Sequence, residues 1–361
     1  MRSMQKKEFT AISDKVLSGG RLSDGEFLHL YDDADIHQLG FLANVIREKL
    51  HPEKFVTYVI DRNINYTDIC VCACKFCAFF KSPEDKEGYL LTKDELAQKI
   101  QETQDLGGTQ ILLQGGLHPD LPLEYYEDML RFMKETGIHI HGFSPPEIYH
   151  FAENSKLSIV EVIKRLMAAG LDSIPGGGAE ILSDRVREST APRKCNADQW
   201  IEVMEEAHKL GLRTSATMMF GHVETVQERL EHLRRLRELQ DRTKGFTAFI
   251  PWPFQPDHTA LNELADIEKT TGYGYLRMLA LSRIYLDNIQ NVQASWVTQG
   301  PKIAQLSLYF GANDFGSTMI EENVVAAAGI SFRLSEEEIR RLVVDAGFEP
   351  RQRLMDYTLV S

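Results

Sequence analysis

The feature that most narrows the fold of this 361-residue chain is a recurring unit. A short β-branched or aromatic run leads into a turn rich in Gly, Pro, Asn or Asp, and a helical pattern follows. Strand patterns fall at residues 63–67, 109–114, 138–143, 172–174, 213–219, 246–250, 292–297 and 311–315. Helical patterns fall between and after them at 93–106, 122–135, 158–169, 197–210, 225–241, 274–288 and 301–310. Thr92 with Glu95 forms a capping-box signature, and Gly107, Gly137, Gly170 and Gly211 stand just past helix ends. Strands alternating with helices of this length predict βαβ units on a parallel sheet. Eight such units favour an α/β fold closed as a (β/α)8 TIM-type barrel over an open doubly wound sheet. Residues 1–54 read as an N-terminal helical extension, 55–330 as the barrel, and 331–361 as a C-terminal helix and strand packed on it. In such a barrel, functional groups belong at the C-terminal ends of strands and in the loops that follow.

The charge balance, 40 basic against 53 acidic residues, gives −13 and argues against nucleic acid or an anionic membrane as the main partner. No run approaches the ~20 apolar residues of a membrane span. The first twenty residues lack the apolar core of a secretory signal. A cytoplasmic location is therefore expected, where thiols stay reduced.

Four of the five cysteines crowd into eight residues: Cys70, Cys72, Cys74 and Cys77, with Cys195 far away. Bridges between such neighbours would be strained and would close no long loop. The C-x3-C-x2-C spacing of Cys70, Cys74 and Cys77 suits three thiolates holding three irons of a 4Fe–4S cube, with the fourth iron open to a small molecule. Structural zinc is the bland alternative, but it calls for a second Cys pair or added His ligands at suitable spacing, and the sequence offers none. Cys72, in a locally extended loop, is expected to point away from its neighbours as a spare thiol. Cys195 is expected to be a bystander.

With Phe76 directly before Cys77, this loop resembles that of the radical S-adenosylmethionine (SAM) superfamily. The resemblance continues through NINYTDICVCACKFCAF (63–79), GGTQILLQGGLHPDLP (107–122), HGFSPPE (141–147) and IPGGGAEIL (174–182), which are similar to the branch holding the futalosine-pathway and deazaflavin-cofactor synthases. FTAFIPWPFQP (246–256), QASWVTQG (293–300) and FGANDFGSTMIEENVV (310–325) look most like its futalosine-cyclising members in menaquinone biosynthesis. Cys72 departs from the usual polar or small residue at its position.

That resemblance implies a 4Fe–4S cluster and SAM as cofactors, with Cys70, Cys74 and Cys77 as cluster ligands. Phe76 would lie near the adenine. Gly115 and Gly116 would meet the methionyl amino group, Ser144 would offer a hydroxyl, and Glu180 would accept from the ribose or amino group. Bland alternatives are an ordinary Gly-Gly turn and a carboxylate at a helix start. The implied reaction abstracts hydrogen from C4′ of dehypoxanthine futalosine, adds the carbon radical to the benzoate ring, and rearomatises it by loss of an electron and a proton. Asp314, Glu321 and His118 are candidate proton acceptors or substrate contacts. Trp252 and Trp296 are candidate partners of the benzoate. An electron donor such as flavodoxin or ferredoxin is the implied protein partner. The competing readings are an aminofutalosine synthase, which adds the adenosyl radical to an enol ether, and a non-catalytic iron–sulfur carrier or sensor.

Overall fold

The structure is a computed structural model describing residues 2–330 and 332–360. Its strands are β1 (Phe55–Val59), β2 (Asp61–Asn65), β3 (Gln110–Gln114), β4 (His139–Gly142), β5 (Ser173–Ile174), β6 (Arg213–Phe220), β7 (Phe246–Pro253), β8 (Asn291–Val292), β9 (Asp314–Ser317) and β10 (Glu349–Gln352). Strands β2 to β8 pair in sequence order as one parallel sheet, and β1 lies between β10 and β9 in a second.

Backbone hydrogen bonds join the two sheets into a ring. At one seam Asn313 N–H donates to Val292 O, and Ala294 N–H to Asp314 O, which carries β8 onto β9. At the other, Ile320 N–H donates to Asp61 O and Asn63 N–H to Glu321 O. Because β1 and β2 are one run of chain interrupted at Ile60, the barrel closes with β9 as its eighth strand. The (β/α)8 expectation holds, with shifted ends. The eighth strand starts at Asp314, so that residue opens its strand at the barrel bottom and does not stand at the mouth.

Two of the departures from the sequence-based expectations have simple reasons. The helix Pro145–Ser155 starts with two prolines, which read as a break but fit the first turn, where no intrahelical N–H partner is lost. The expected helix at 301–310 is instead Trp296–Ser307, broken at Gly300, whose φ of +76° precedes Pro301. The N-terminal helices are locked to the barrel wall. Arg47 is buried, donates to Ala312 O at 3.0 Å and lies over the Phe348 ring. Among the described residues no helix is long and apolar enough to cross a membrane.

The C-terminal segment packs outside the barrel only in part. After β10 pairs with β1, Arg353 N–H donates to Tyr58 O, and Arg353, Met355 and Tyr357 turn inward to line the barrel's interior cavity. There the Arg353 guanidinium grips Asp314 through two nitrogens, the longer contact at 3.1 Å, and Thr57 donates to the same carboxylate. The Asp314 side chain is fully buried. Removing one partner of such a pair strands the other charge, at about 3–5 kcal/mol. Arg353→Met should therefore lower the unfolding free energy read from urea titration by that order, and adding Asp314→Leu should restore much of the loss. Equal stability of Arg353→Met and the parent in urea titration would contradict this placement.

Candidate active site

The cysteine loop, residues 70–77, follows β2 and sits over the barrel mouth. Several elements pin its backbone: Cys70 N–H donates to Lys81 O, Val71 N–H to Leu117 O, Lys75 N–H to Thr190 O, and Leu261 N–H to Lys75 O. Gly116 allows the closest approach, since a Cβ there would lie 2.2 Å from the Ile69 carbonyl oxygen and 3.0 Å from Cys70 Cβ. Its neighbour Gly115 lies face-on to Tyr66, where a Cβ would meet the ring at 2.5 Å. The pair is thus required by packing as well as by any ligand.

All four loop thiols are free. Cys72 does not point away from its neighbours: Ala73 takes a left-handed φ of +46°, so the loop is not extended. The Cys72 thiol turns between Cys70 and Cys74, within reach of a hydrogen bond to either sulfur, and lies 3.5 Å from Arg193 O. That hydrogen bond holds the Cys70 thiol down to about 6 and lowers Cys74, while Cys72 itself is pushed far up. Burial raises Cys77 to about 11. Burial also works against the Lys194 ammonium, but Cys74 and Glu180 outweigh it and hold Lys194 protonated beside the thiols. Soft thiolates with a buried cation next to them suit an anionic iron–sulfur cluster. Among the described residues no group of three or more His, Cys, Asp or Glu side chains is arranged to hold a single metal ion.

A second polar hub organises the rest of the mouth. Glu147, 1% exposed, accepts from Tyr66 O–H (2.8 Å), Gly115 N–H (3.0 Å), and both the backbone and hydroxyl of Ser144 (2.7 and 2.6 Å). It therefore ties the loops after β3 and β4 together, and burial lifts its carboxyl to about 7. Sequence reading quoted Glu147 within HGFSPPE but gave it no role; the S-x-x-E capping box was the signal. Glu180, with φ of +40°, accepts from Lys194 at 3.0 Å and lies 3.6 Å from Arg187. Phe76 lies under the Lys194 ammonium, 5.1 Å from ring centroid to Nζ. The structure thus gathers Phe76, Gly115, Gly116, Ser144 and Glu180 around the cysteine loop.

Below that mouth a cavity of about 290 Å³ fills the barrel interior. Gly176, Gly177, Gly178 and Glu180 rim it, Trp252, Trp296, Val324 and Val325 wall one side, and Asp61, Asn63, Gln110, His141, Arg353 and Tyr357 line its depth. Asp314, Glu321 and His118 do not line it. Asp314 is spent on Arg353 at the bottom. Glu321 faces outward to Lys99 at 2.6 Å. His118 packs in its loop, accepting from Asp120 N–H through Nδ1. The cavity-facing acids are instead Asp61 and Glu322, and burial raises both. Asp61 lies outside the motifs, Glu322 stands beside Glu321 in FGANDFGSTMIEENVV, and Arg353 and Tyr357 come from a C-terminal segment that reads as packing.

Residues 64–236 match the radical SAM superfamily, and residues 243–361 match the CofH/MqnC C-terminal region. A cyclic dehypoxanthine futalosine synthase from Halalkalibacterium halodurans is 47% identical over 97% of this chain and 94% of its own. The chain belongs to the radical SAM superfamily. A second protein of that name, from Streptomyces coelicolor, is 46% identical over 98% of this chain and 89% of its own. An aminodeoxyfutalosine synthase from Thermus thermophilus is 41% identical over 98% of this chain and 96% of its own. The hydrogenase maturase HydG from Carboxydothermus hydrogenoformans shares the fold at a TM-score of 0.76 and 18% identity, over 98% of this chain and 81% of that one. Radical SAM proteins use a 4Fe–4S cluster and SAM, and the thiol set described above fits that cluster.

Two outcomes check this site. Anaerobic reconstitution of Cys74→Ala should yield no 4Fe–4S absorbance near the parent's level, whereas Cys72→Ala should load normally; full loading of Cys74→Ala would contradict the ligand set. For Glu147, the native carboxyl holds its proton up to about 7, against 4.5 in an unfolded chain. Its stabilising contribution is therefore fully present below pH 4.5 and is lost as pH rises to 7, by up to about 3 kcal/mol. The melting temperature of the parent should fall across that window relative to Glu147→Gln, and parallel curves would contradict the burial argument.

Proposed function

We propose that the chain converts dehypoxanthine futalosine to cyclic dehypoxanthine futalosine in the futalosine route to menaquinone. The observation that carries this reading is the similarity to two cyclic dehypoxanthine futalosine synthases across both halves of the chain, including the C-terminal region that walls and floors the cavity. The chemistry supplied by the bound cluster and SAM is a one-electron hydrogen abstraction at C4′ of the substrate ribose, after which ring closure onto the benzoate and loss of an electron and a proton complete the conversion.

Cys70, Cys74 and Cys77 hold the cluster, with Lys194 balancing its charge. Gly115 and Gly116 would let the methionyl group approach the backbone, Ser144 and Glu180 would offer the cofactor polar partners, and Phe76 would offer the adenine an aromatic face. Trp252 and Trp296 offer flat apolar surface to the arene. The proton leaving the ring falls to a cavity-facing carboxylate beside the apolar wall, Glu322, which caps the backbone of Val324, Val325 and Ala326 and whose burial favours the protonated form. Asp314, Glu321 and His118 are poorly placed for that role. An acidic one-electron carrier of the flavodoxin or ferredoxin kind would meet Lys75 and the exposed Arg193 at the cysteine loop. A cytoplasmic site of action suits an oxygen-sensitive cluster.

Incubating the anaerobically reconstituted protein with a reductant, SAM and dehypoxanthine futalosine should release free 5′-deoxyadenosine and a product two hydrogens lighter than substrate. An intact cluster with neither product would reject the reading. Transfer of the adenosyl group onto an enol-ether acceptor would select the activity of the aminodeoxyfutalosine synthase relative instead.

A further inference from the structure

We infer that the barrel floor, built partly by the C-terminal segment, is a subsite in which Asn63, Gln110 and Tyr357 read the ribose hydroxyls of the substrate. The inference rests on the function proposed above and adds where and how that substrate is held.

Three residues lining the cavity each carry a buried polar atom with no hydrogen-bond partner among the described residues: Asn63 at Oδ1, Gln110 at Oε1 and Tyr357 at its hydroxyl. Asn63 and Gln110 are only 6% and 5% exposed. A buried polar atom left unpaired is costly, and three on residues of one cavity wall point to a polar occupant that small side-chain rotations would let them meet. The orientation of Gln110 is fixed by its neighbour: Nε2 donates to Asp61 Oδ2 at 2.7 Å, which leaves Oε1 free to accept. Burial keeps the Tyr357 phenol protonated, so it can donate. An acceptor on Gln110, a donor on Tyr357 and an amide on Asn63 that offers both complement groups that give and take a hydrogen bond, which is the chemistry of hydroxyls.

The charge of the floor excludes the alternative that this end grips the substrate's carboxylate. Arg353 is already spent on Asp314, and Asp61 stands beside them, so an incoming carboxylate would meet two acids and no free cation. His141, held by Ser173 at 2.7 Å and pushed down to about 3 by burial, is neutral and adds none. The apolar wall of Ile250, Trp252, Trp296, Val324 and Val325 offers the arene a different place. The register puts Asn63 beside Leu112, and Leu112 beside His141, in one layer. That layer lies two residues, about 7 Å, below the end of β2, from which the chain runs on over the mouth to the cysteine loop. A ribose with its hydroxyls at this depth keeps its C4′ side toward the mouth.

The test is calorimetric binding to the reconstituted holoprotein with SAM and no reductant, so that no turnover occurs. Dehypoxanthine futalosine and its 2′-deoxy and 3′-deoxy analogues would be titrated into the parent, Tyr357→Phe and Asn63→Leu. The expected result is a loss of about tenfold in affinity for at least one analogue with the parent protein. At least one variant should then bind substrate and that analogue equally, with SAM affinity unchanged. If the parent binds substrate and both analogues alike, the floor holds only ordered water and the inference fails while the function stands. Discrimination kept by both variants overturns it too. If Asn63→Leu does not fold, the parent series and the isosteric Tyr357→Phe still decide. Failure of the parent to bind dehypoxanthine futalosine at all rejects the proposed function, and the subsite with it.

Discussion

The buried contact between Arg353 and Asp314 ties together the parts of the chain that most need joining. Asp314 opens the strand that closes the barrel, Thr57 on the first strand donates to the same carboxylate, and Arg353 arrives from the last ten residues of the sequence. A barrel is a ring, and its weakest seam is where the first and last strands meet. Here that seam is held by a hydrogen-bonded ion pair whose desolvation is tolerable only because both carboxylate oxygens are engaged. The same contact sets the depth of the cavity and positions Tyr357, over whose ring the guanidinium lies at 4.0 Å.

At the opposite end, the mouth depends on absence of bulk. Gly116 lets the cysteine loop rest on the turn after β3, and Glu147 ties that turn to the start of the next helix. The loop thiols are thus held against a fixed frame, with Lys194 and Glu180 beside them. The positioning of three thiols, a buried cation and a polar rim over one cavity gives the chain a place to generate a reactive radical away from bulk water and a place below to hold what it attacks.

Much of this was legible in sequence, for identifiable reasons. The βα repeat has two periodicities that differ sharply, so the barrel and most of its strands could be read with shifted ends. The C-x3-C-x2-C spacing carries its chemistry in eight residues. What escaped was tertiary. Nothing local distinguishes Asp314 at the start of a strand from Asp314 at its end, and a shift of three residues moved it from mouth to floor. Glu321 and Glu322 are adjacent, and only the closed ring shows that the first faces Lys99 and the second the cavity. Cys72 was misplaced because one left-handed residue, Ala73, folds the loop back. Arg353 and Tyr357 lie nearly three hundred residues from the strands they face, beyond the reach of any pattern.

The central claim is that this radical SAM protein abstracts hydrogen from the substrate ribose while leaving the adenosyl group out of the product. It is tested most directly with dehypoxanthine futalosine deuterated at C4′. The account predicts that, with reductant and SAM, free 5′-deoxyadenosine carries one deuterium and the cyclised product has none at that carbon. Unlabelled 5′-deoxyadenosine, or an adenosyl group bonded to the product, would contradict it.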